Sequence, residues 1–163
     1  MTENEKFLLD DYRETVREML RTGLTRVIPN YDSKHASIIL EEMIRATKEN
    51  FVAVTQQMSG EVWTEEILSL LCSRRTQNKV NVSILTVDAP PEQLPAELSS
   101  SVRRLQTATG TKPFKYNFAV SDGKSFRFEN DIAKRTAIFC ANNLETSSTL
   151  IEAFEALSRR SGS

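Results

Sequence analysis

The side chains in this sequence that could do chemistry are few and scattered. His35 is the single histidine, and Cys72 and Cys140 are the two cysteines. A structural zinc site needs about four ligands at characteristic spacing, which one histidine and two distant cysteines do not supply. Each cysteine sits among apolar residues with no neighbouring histidine to hold it as a thiolate, so both are expected to be reduced, buried thiols. His35 stands near a helix start and is expected at the surface. No cofactor or metal is expected from these residues.

The densest run of charge is basic. Lys112, Lys115, Lys124, Arg127, Lys134 and Arg135 crowd into residues 112–135, against Asp122, Glu129 and Asp131. Lysine and arginine together can hold phosphate, one as a point charge and the other as a planar fork. Lys112, Lys115, Lys124 and Arg127 are therefore candidate phosphate contacts. A solvated hairpin of mixed charge is the plainer reading of the same residues. Asp122-Gly123, in the middle of the run, is the strongest hairpin signal in the chain, so Asp122 reads first as a turn former.

Length and composition bound what these residues can belong to. The chain has 163 residues, 39% hydrophobic and 26% charged, with a net charge of -1. These values suit one globular domain with a single core and exclude wholesale disorder. A dedicated nucleic-acid binder usually carries a clear basic excess, which is missing here. No run reaches the ~18 consecutive apolar residues of a membrane helix, and the start is polar and acidic, unlike a secretory signal. A cytoplasmic protein with no membrane partner is the expectation.

The elements that would position these residues follow from periodicity. Residues 3–22 carry Leu9, Tyr12, Val16, Met19 and Leu20 on one helical face, and Gly23 stops the helix. Residues 25–29 predict a short extended link. Asp32 or Ser33 caps a second helix running to about residue 48, with Ala36, Ile39, Leu40, Met43 and Thr47 inward. Residues 51–55 and 80–87 predict strands around a helix over 61–75, buried through Trp63, Ile67, Leu70 and Leu71. Two strands with a helix between them predict parallel pairing. Three prolines make 88–95 a loop leading to a fourth helix over 96–107. From 114 to 120 the pattern alternates, with Phe114, Tyr116, Phe118 and Val120 on one face and Lys115, Asn117 and Ala119 on the other. Residues 125–129 return as the partner strand, 135–141 form a further strand, and 147–159 a final helix.

Taken in order, these segments resemble one half-unit of the phospholipase D superfamily, from Ala36 to Leu157. The resemblance rests on Phe51-Val-Ala-Val54, Val80-Asn-Val-Ser-Ile-Leu85, Tyr116-Asn-Phe-Ala-Val-Ser-Asp-Gly123, Ala137-Ile-Phe-Cys-Ala-Asn-Asn143 and the final helix through Leu150 and Phe154. It implies an α/β fold with a phospholipase D-like mixed sheet flanked by helices, preceded by an extra N-terminal helix. The division is then 1–30, an amphipathic helix and link, and 31–160, the phospholipase D-like domain. The family's chemistry uses His-x-Lys-x-x-x-x-Asp followed by Gly-Ser-x-Asn. Anchored on Asp122, the histidine position falls on Lys115 and the lysine position on Asn117. The second segment falls on residues 140–143 and ends on Asn143, which otherwise reads as a helix cap. Lys115, Asn117, Asp122 and Asn143 are thus remnants of a vacated site, and no catalytic residue is assigned.

Without an imidazole no phosphohistidine can form. The expectation is a pseudoenzyme, a regulatory or inhibitory module that binds another, unidentified protein. Phosphate or nucleic-acid binding through the basic hairpin is the alternative, and a metal-independent phosphodiesterase the least favoured reading. Active relatives need two motif copies facing each other, so one unit implies a homodimer. Tyr116, Phe118, Phe126 and Phe128 offer aromatic surface for it.

Overall fold

The computed structural model describes residues 1–105, 114–131, 133, 134 and 136–161. Helix α1 spans Glu3–Thr22. Thr2 and Glu5 close a capping box at its start, and Gly23 ends it at φ 67°, a left-handed conformation that glycine adopts without strain. The next residues, predicted as a link, form strand β1, Val27–Asn30, which pairs antiparallel with a strand near the end of the chain. Residues 1–30 are accordingly built into the sheet and its covering layer, not appended to them. Pro29 suits this edge position, since it has no N–H to offer a further strand.

Helix α2, Ser33–Ala46, starts where Asp32 accepts the His35 backbone N–H at 2.8 Å. Its predicted inner face is buried throughout. Strand β2, Asn50–Thr55, and strand β3, Asn81–Thr86, run parallel in register around helix α3, Glu65–Gln77. Helix α3 begins four residues later than predicted because Thr64 caps it, accepting the Ile67 N–H at 3.2 Å.

The helix predicted over 96–107 is absent. A single 3₁₀ turn, Ala96–Leu98, is followed by strand β4, Val102–Arg104, parallel to β3. The serine run 99–101 and β-branched Val102 are weak helix formers, and the edge of β3 offers backbone partners instead. Ile84 N–H donates to Ser101 O at 2.8 Å, and Leu105 N–H to Thr86 O at 2.7 Å. The remainder of that prediction and the break at 110–113 lie outside the described residues.

Strands β5, Asn117–Ser121, and β6, Ser125–Asp131, make the predicted hairpin, with Asp122 at φ 52° and Gly123 at φ 67° in its turn. Strand β7, Thr136–Cys140, and helix α4, Leu144–Ser161, complete the chain. The seven strands form one mixed sheet in the order β1-β7-β6-β5-β2-β3-β4. One face packs under α1, α2 and α3 through residues such as Ile39, Met43, Phe51 and Phe139. The other packs under α4 through Val54, Phe118, Val120, Phe126 and Phe154. Among the described residues no helix is long and apolar enough to cross a membrane.

Two residue expectations change. Cys140 is buried, but Cys72 is only half-buried, because it lies at the margin of the buried face of α3; both are free thiols. His35 is half-buried and not fully at the surface: its ring stacks on Tyr12 of α1 at 4.1 Å between centroids.

Candidate functional site

The predicted alternation of β5 decides what lies beneath α2. Phe118 and Val120 turn towards α4, as do Phe126 and Phe128 of β6. The polar positions Asn117, Arg127 and Glu129 are left on the opposite face. There Ala119 pairs with Arg127, and Asn117 with Glu129. Opposite the long arginine the alanine fills little space. A cavity of about 300 Å³ opens between this part of the sheet, the start of α2 at Asp32 and Ser33, residues 55–57 at the end of β2, and Ser59 and Trp63 beyond it. The carboxyl end of a strand in a parallel unit is where ligands of α/β folds commonly bind.

The cavity wall holds a buried polar network. Arg127 is 4% exposed, and its Nε donates to Asn30 Oδ1 at 2.8 Å. Its Nη1 lies 3.8 Å from Glu129 Oε2, close enough for charge attraction but too far for a hydrogen bond. Burial pushes the Arg127 pKa below its ordinary value, opposed chiefly by the Glu129 carboxylate. Glu129, 6% exposed, accepts from Asn117 Nδ2 at 2.6 Å. Asn117 Oδ1 in turn accepts the Gln56 N–H at 2.7 Å. Helix α1 reaches the same place: the Tyr12 hydroxyl donates to Pro29 O at 3.4 Å, and burial pushes its pKa up to about 12.

The structure divides the four positions expected as site remnants between two ends of the sheet. Lys115 and Asn117 lie at the cavity end, Lys115 exposed in the chain leading into β5. Asp122 lies at the far end of β5, five residues and roughly 16 Å from Asn117 at about 3.3 Å per residue. Its carboxylate accepts the backbone N–H groups of Lys48, Glu49 and Asn50 at 2.8, 2.8 and 2.9 Å. Asn143 is at that same far end, where its side chain accepts the Thr146 N–H at 2.9 Å and caps α4. Its backbone N–H donates to Lys124 O at 2.7 Å. The turn former and the helix cap expected from sequence are therefore what these two residues do.

Among the described residues, the basic candidates Lys115, Lys124 and Arg127 do not assemble into one patch. Lys124 is exposed beside the hairpin turn, Lys115 is exposed at the opposite end, and Arg127 is buried between the sheet and the helices. Lys112 lies outside the described residues. Of the residues that line the cavity with Arg127 and Asn117, the sequence marks Asp32 as a cap, Trp63 as core and Glu129 as a charge of the basic run, and none of these three as a site residue. Glu129, two residues after Arg127 on one strand face, was the signal available for it. Ser59-Gly60, following a buried strand, was the signal for the cavity's loop. Among the described residues, no group of three or more His, Cys, Asp or Glu side chains could hold a metal ion.

Solved structures share this fold. The chain is similar to Nuc, a phospholipase D family member from Salmonella typhimurium, with a TM-score of 0.55 and 12% identity over 83% of this chain and 95% of that one. The fold is phospholipase D-like. It is also similar to TrmBL2, an archaeal chromatin protein described as showing a novel mode of DNA binding, with a TM-score of 0.57 and 16% identity. That match covers 94% of this chain, which spans only 60% of TrmBL2. No protein-family model matches the sequence, and no curated protein matches it significantly.

Proposed function

We propose that this phospholipase D-like domain binds without catalysing, as a regulatory module whose ligand enters the cavity beneath α2 and whose response reaches a protein partner through the α1–α2 layer. One observation carries the reading. Asn117, where the resemblance puts the phosphate-binding lysine, has both polar atoms engaged inside the protein, Oδ1 by Gln56 and Nδ2 by Glu129. A position that braces the cavity wall is not free to bind a transferring phosphoryl group. Ser33, Thr55 and Ser59 are the hydroxyls of the lining, and no histidine or lysine among the described lining residues accompanies them to activate one.

Purified protein is expected not to hydrolyse phosphodiester substrates, with or without divalent metal. Metal-independent turnover that disappears in Lys115→Ala would overturn the reading. Nucleic-acid binding through the hairpin is the less favoured reading, because among the described basic residues Lys115 and Lys124 lie at opposite ends of the strand and Arg127 is buried. The DNA binding described for TrmBL2 belongs to a longer chain.

A homodimer is the second part of the proposal. Most of the aromatic surface once available for it is covered by α4, with Phe118 and Phe126 only 3% and 2% exposed. Tyr116, Ile138 and Val27 remain exposed on the same sheet face, towards its β7–β1 edge. This smaller apolar strip is what favours pairing.

A further inference from the structure

The ligand class follows from two buried charges that the fold brings near each other without joining. Of the Arg127 guanidinium, only Nε has a hydrogen-bond acceptor among the described residues. Both terminal nitrogens are left with donors to offer, in a side chain that is 5% exposed. Glu129 has one oxygen on Asn117 and the other without a donor among the described residues. A third polar atom lining the cavity, Ser59 Oγ, is buried with no hydrogen-bond partner. Buried polar groups left in this state are costly, and a ligand that supplies their missing partners relieves that cost.

Size and charge narrow the choice. About 300 Å³ is at the lower end of small-molecule pockets, roughly 300–1,000 Å³, and too small for a nucleotide with its neighbours. The lining holds one cation, Arg127, and two carboxylates, Glu129 near it and Asp32 at the rim, so the site is net negative and disfavours a dianion such as phosphate. A molecule that carries an anionic acceptor next to a cationic donor matches both halves. Its carboxylate takes the two terminal nitrogens of Arg127 in a bidentate pair, and its ammonium group lies against Glu129 and Asp32. Leu40, Val62 and Trp63 supply an apolar wall for a side chain. We infer that the cavity is a binding site for a small zwitterion of the α-amino-acid type, an inference that rests on the ligand-binding reading above.

The test is calorimetry and thermal shift on the full chain with the twenty free amino acids. Inorganic phosphate, glucose and two half-analogues of leucine, 4-methylpentanoate and isoamylamine, serve as further probes. At least one amino acid is expected to bind saturably and raise the melting temperature, and where the ligand is leucine each half-analogue binds at least tenfold more weakly. Glu129→Gln keeps an acceptor for Asn117 and is expected to weaken the amino acid at least tenfold. Gln57→Trp, at an exposed rim position, is expected to block entry in a protein that melts as the parent does. Saturable binding of phosphate or glucose alone, lost in Gln57→Trp, would overturn the zwitterion while leaving a ligand-binding domain. No binding by any amino acid, or amino-acid binding indifferent to both variants, overturns it as well. Phosphodiester turnover is the separate result that would remove the underlying reading.

Discussion

Asp122 shows how one side chain can join two segments that are far apart along the chain. Its carboxylate gathers three successive backbone N–H groups at the α2–β2 joint, and its own N–H donates back to Asn50 O at 2.8 Å. Beside it, Thr47 Oγ1 and Ser121 Oγ are 2.7 Å apart. The hairpin turn is thereby tied to the chain entering β2. Replacing Asp122 with alanine strands three donors and also places a Cβ-branching-free but non-glycine residue at φ 52° without its local hydrogen bonds. A loss of about 1–3 kcal/mol is expected in urea unfolding. Asp122→Asn, which keeps one oxygen acceptor and tolerates the left-handed conformation, should lose clearly less. Equal losses in the two variants would refute the three-donor account.

Between elements, α1 is held on α2 by a carboxylate cluster as well as by Val16 and Met19. Glu42, 2% exposed, takes Arg17 Nε at 2.7 Å and Arg13 Nη1 at 3.1 Å, with Arg45 Nε at 3.6 Å. Glu41 takes Arg13 and Arg45, each at 2.8 Å. Burial alone would raise the Glu41 pKa, but the hydrogen bonds from Arg45 and Arg13 outweigh it and hold the carboxyl below its ordinary value. A carboxyl with a lowered folded pKa binds fewer protons folded than unfolded. Its stabilisation is therefore complete above the unfolded value of about 4.3 and drains away as pH falls through the lowered folded value. Glu41→Gln should cost stability at pH 7 and much less at pH 3, measured by urea unfolding at both. A stability difference that stays the same at the two pH values would contradict the clamp.

For the molecule as a whole, the open strip of sheet beside α4 is what bears on association. Tyr116, Ile138 and Val27 are 44%, 40% and 47% exposed, and the Tyr116 ring meets those of Phe114 and Phe128, each at 5.5 Å. Light scattering at micromolar concentration is expected to give twice the 18.5 kDa chain mass, and Ile138→Glu to return it to the monomer. A parent mass near one chain that does not rise with concentration removes the dimer. The ligand cavity on the opposite face would be untouched by that result, since its described walls come from one chain.

The sequence by itself determined the local order of this protein. Gly23 stops α1, Asp32 starts α2, Asp122-Gly123 turns the hairpin, and the alternation from Asn117 to Val120 assigns each side chain to a face, because caps, turns and periodicity act between residues close along the chain. The same local rules predicted a helix over 96–107 and a link over 25–29, and there the sheet decided otherwise. Each segment meets an open strand edge from elsewhere in the chain, β3 for Val102–Arg104 and β7 for Val27–Asn30. Only tertiary structure could show that Arg127 is a buried wall of a cavity and not an exposed phosphate contact. Its environment is Asn30, 97 residues away in sequence, together with Glu129 and the helix that covers both. Burial of a charge is set by what packs over it, and no spacing within β6 encodes that.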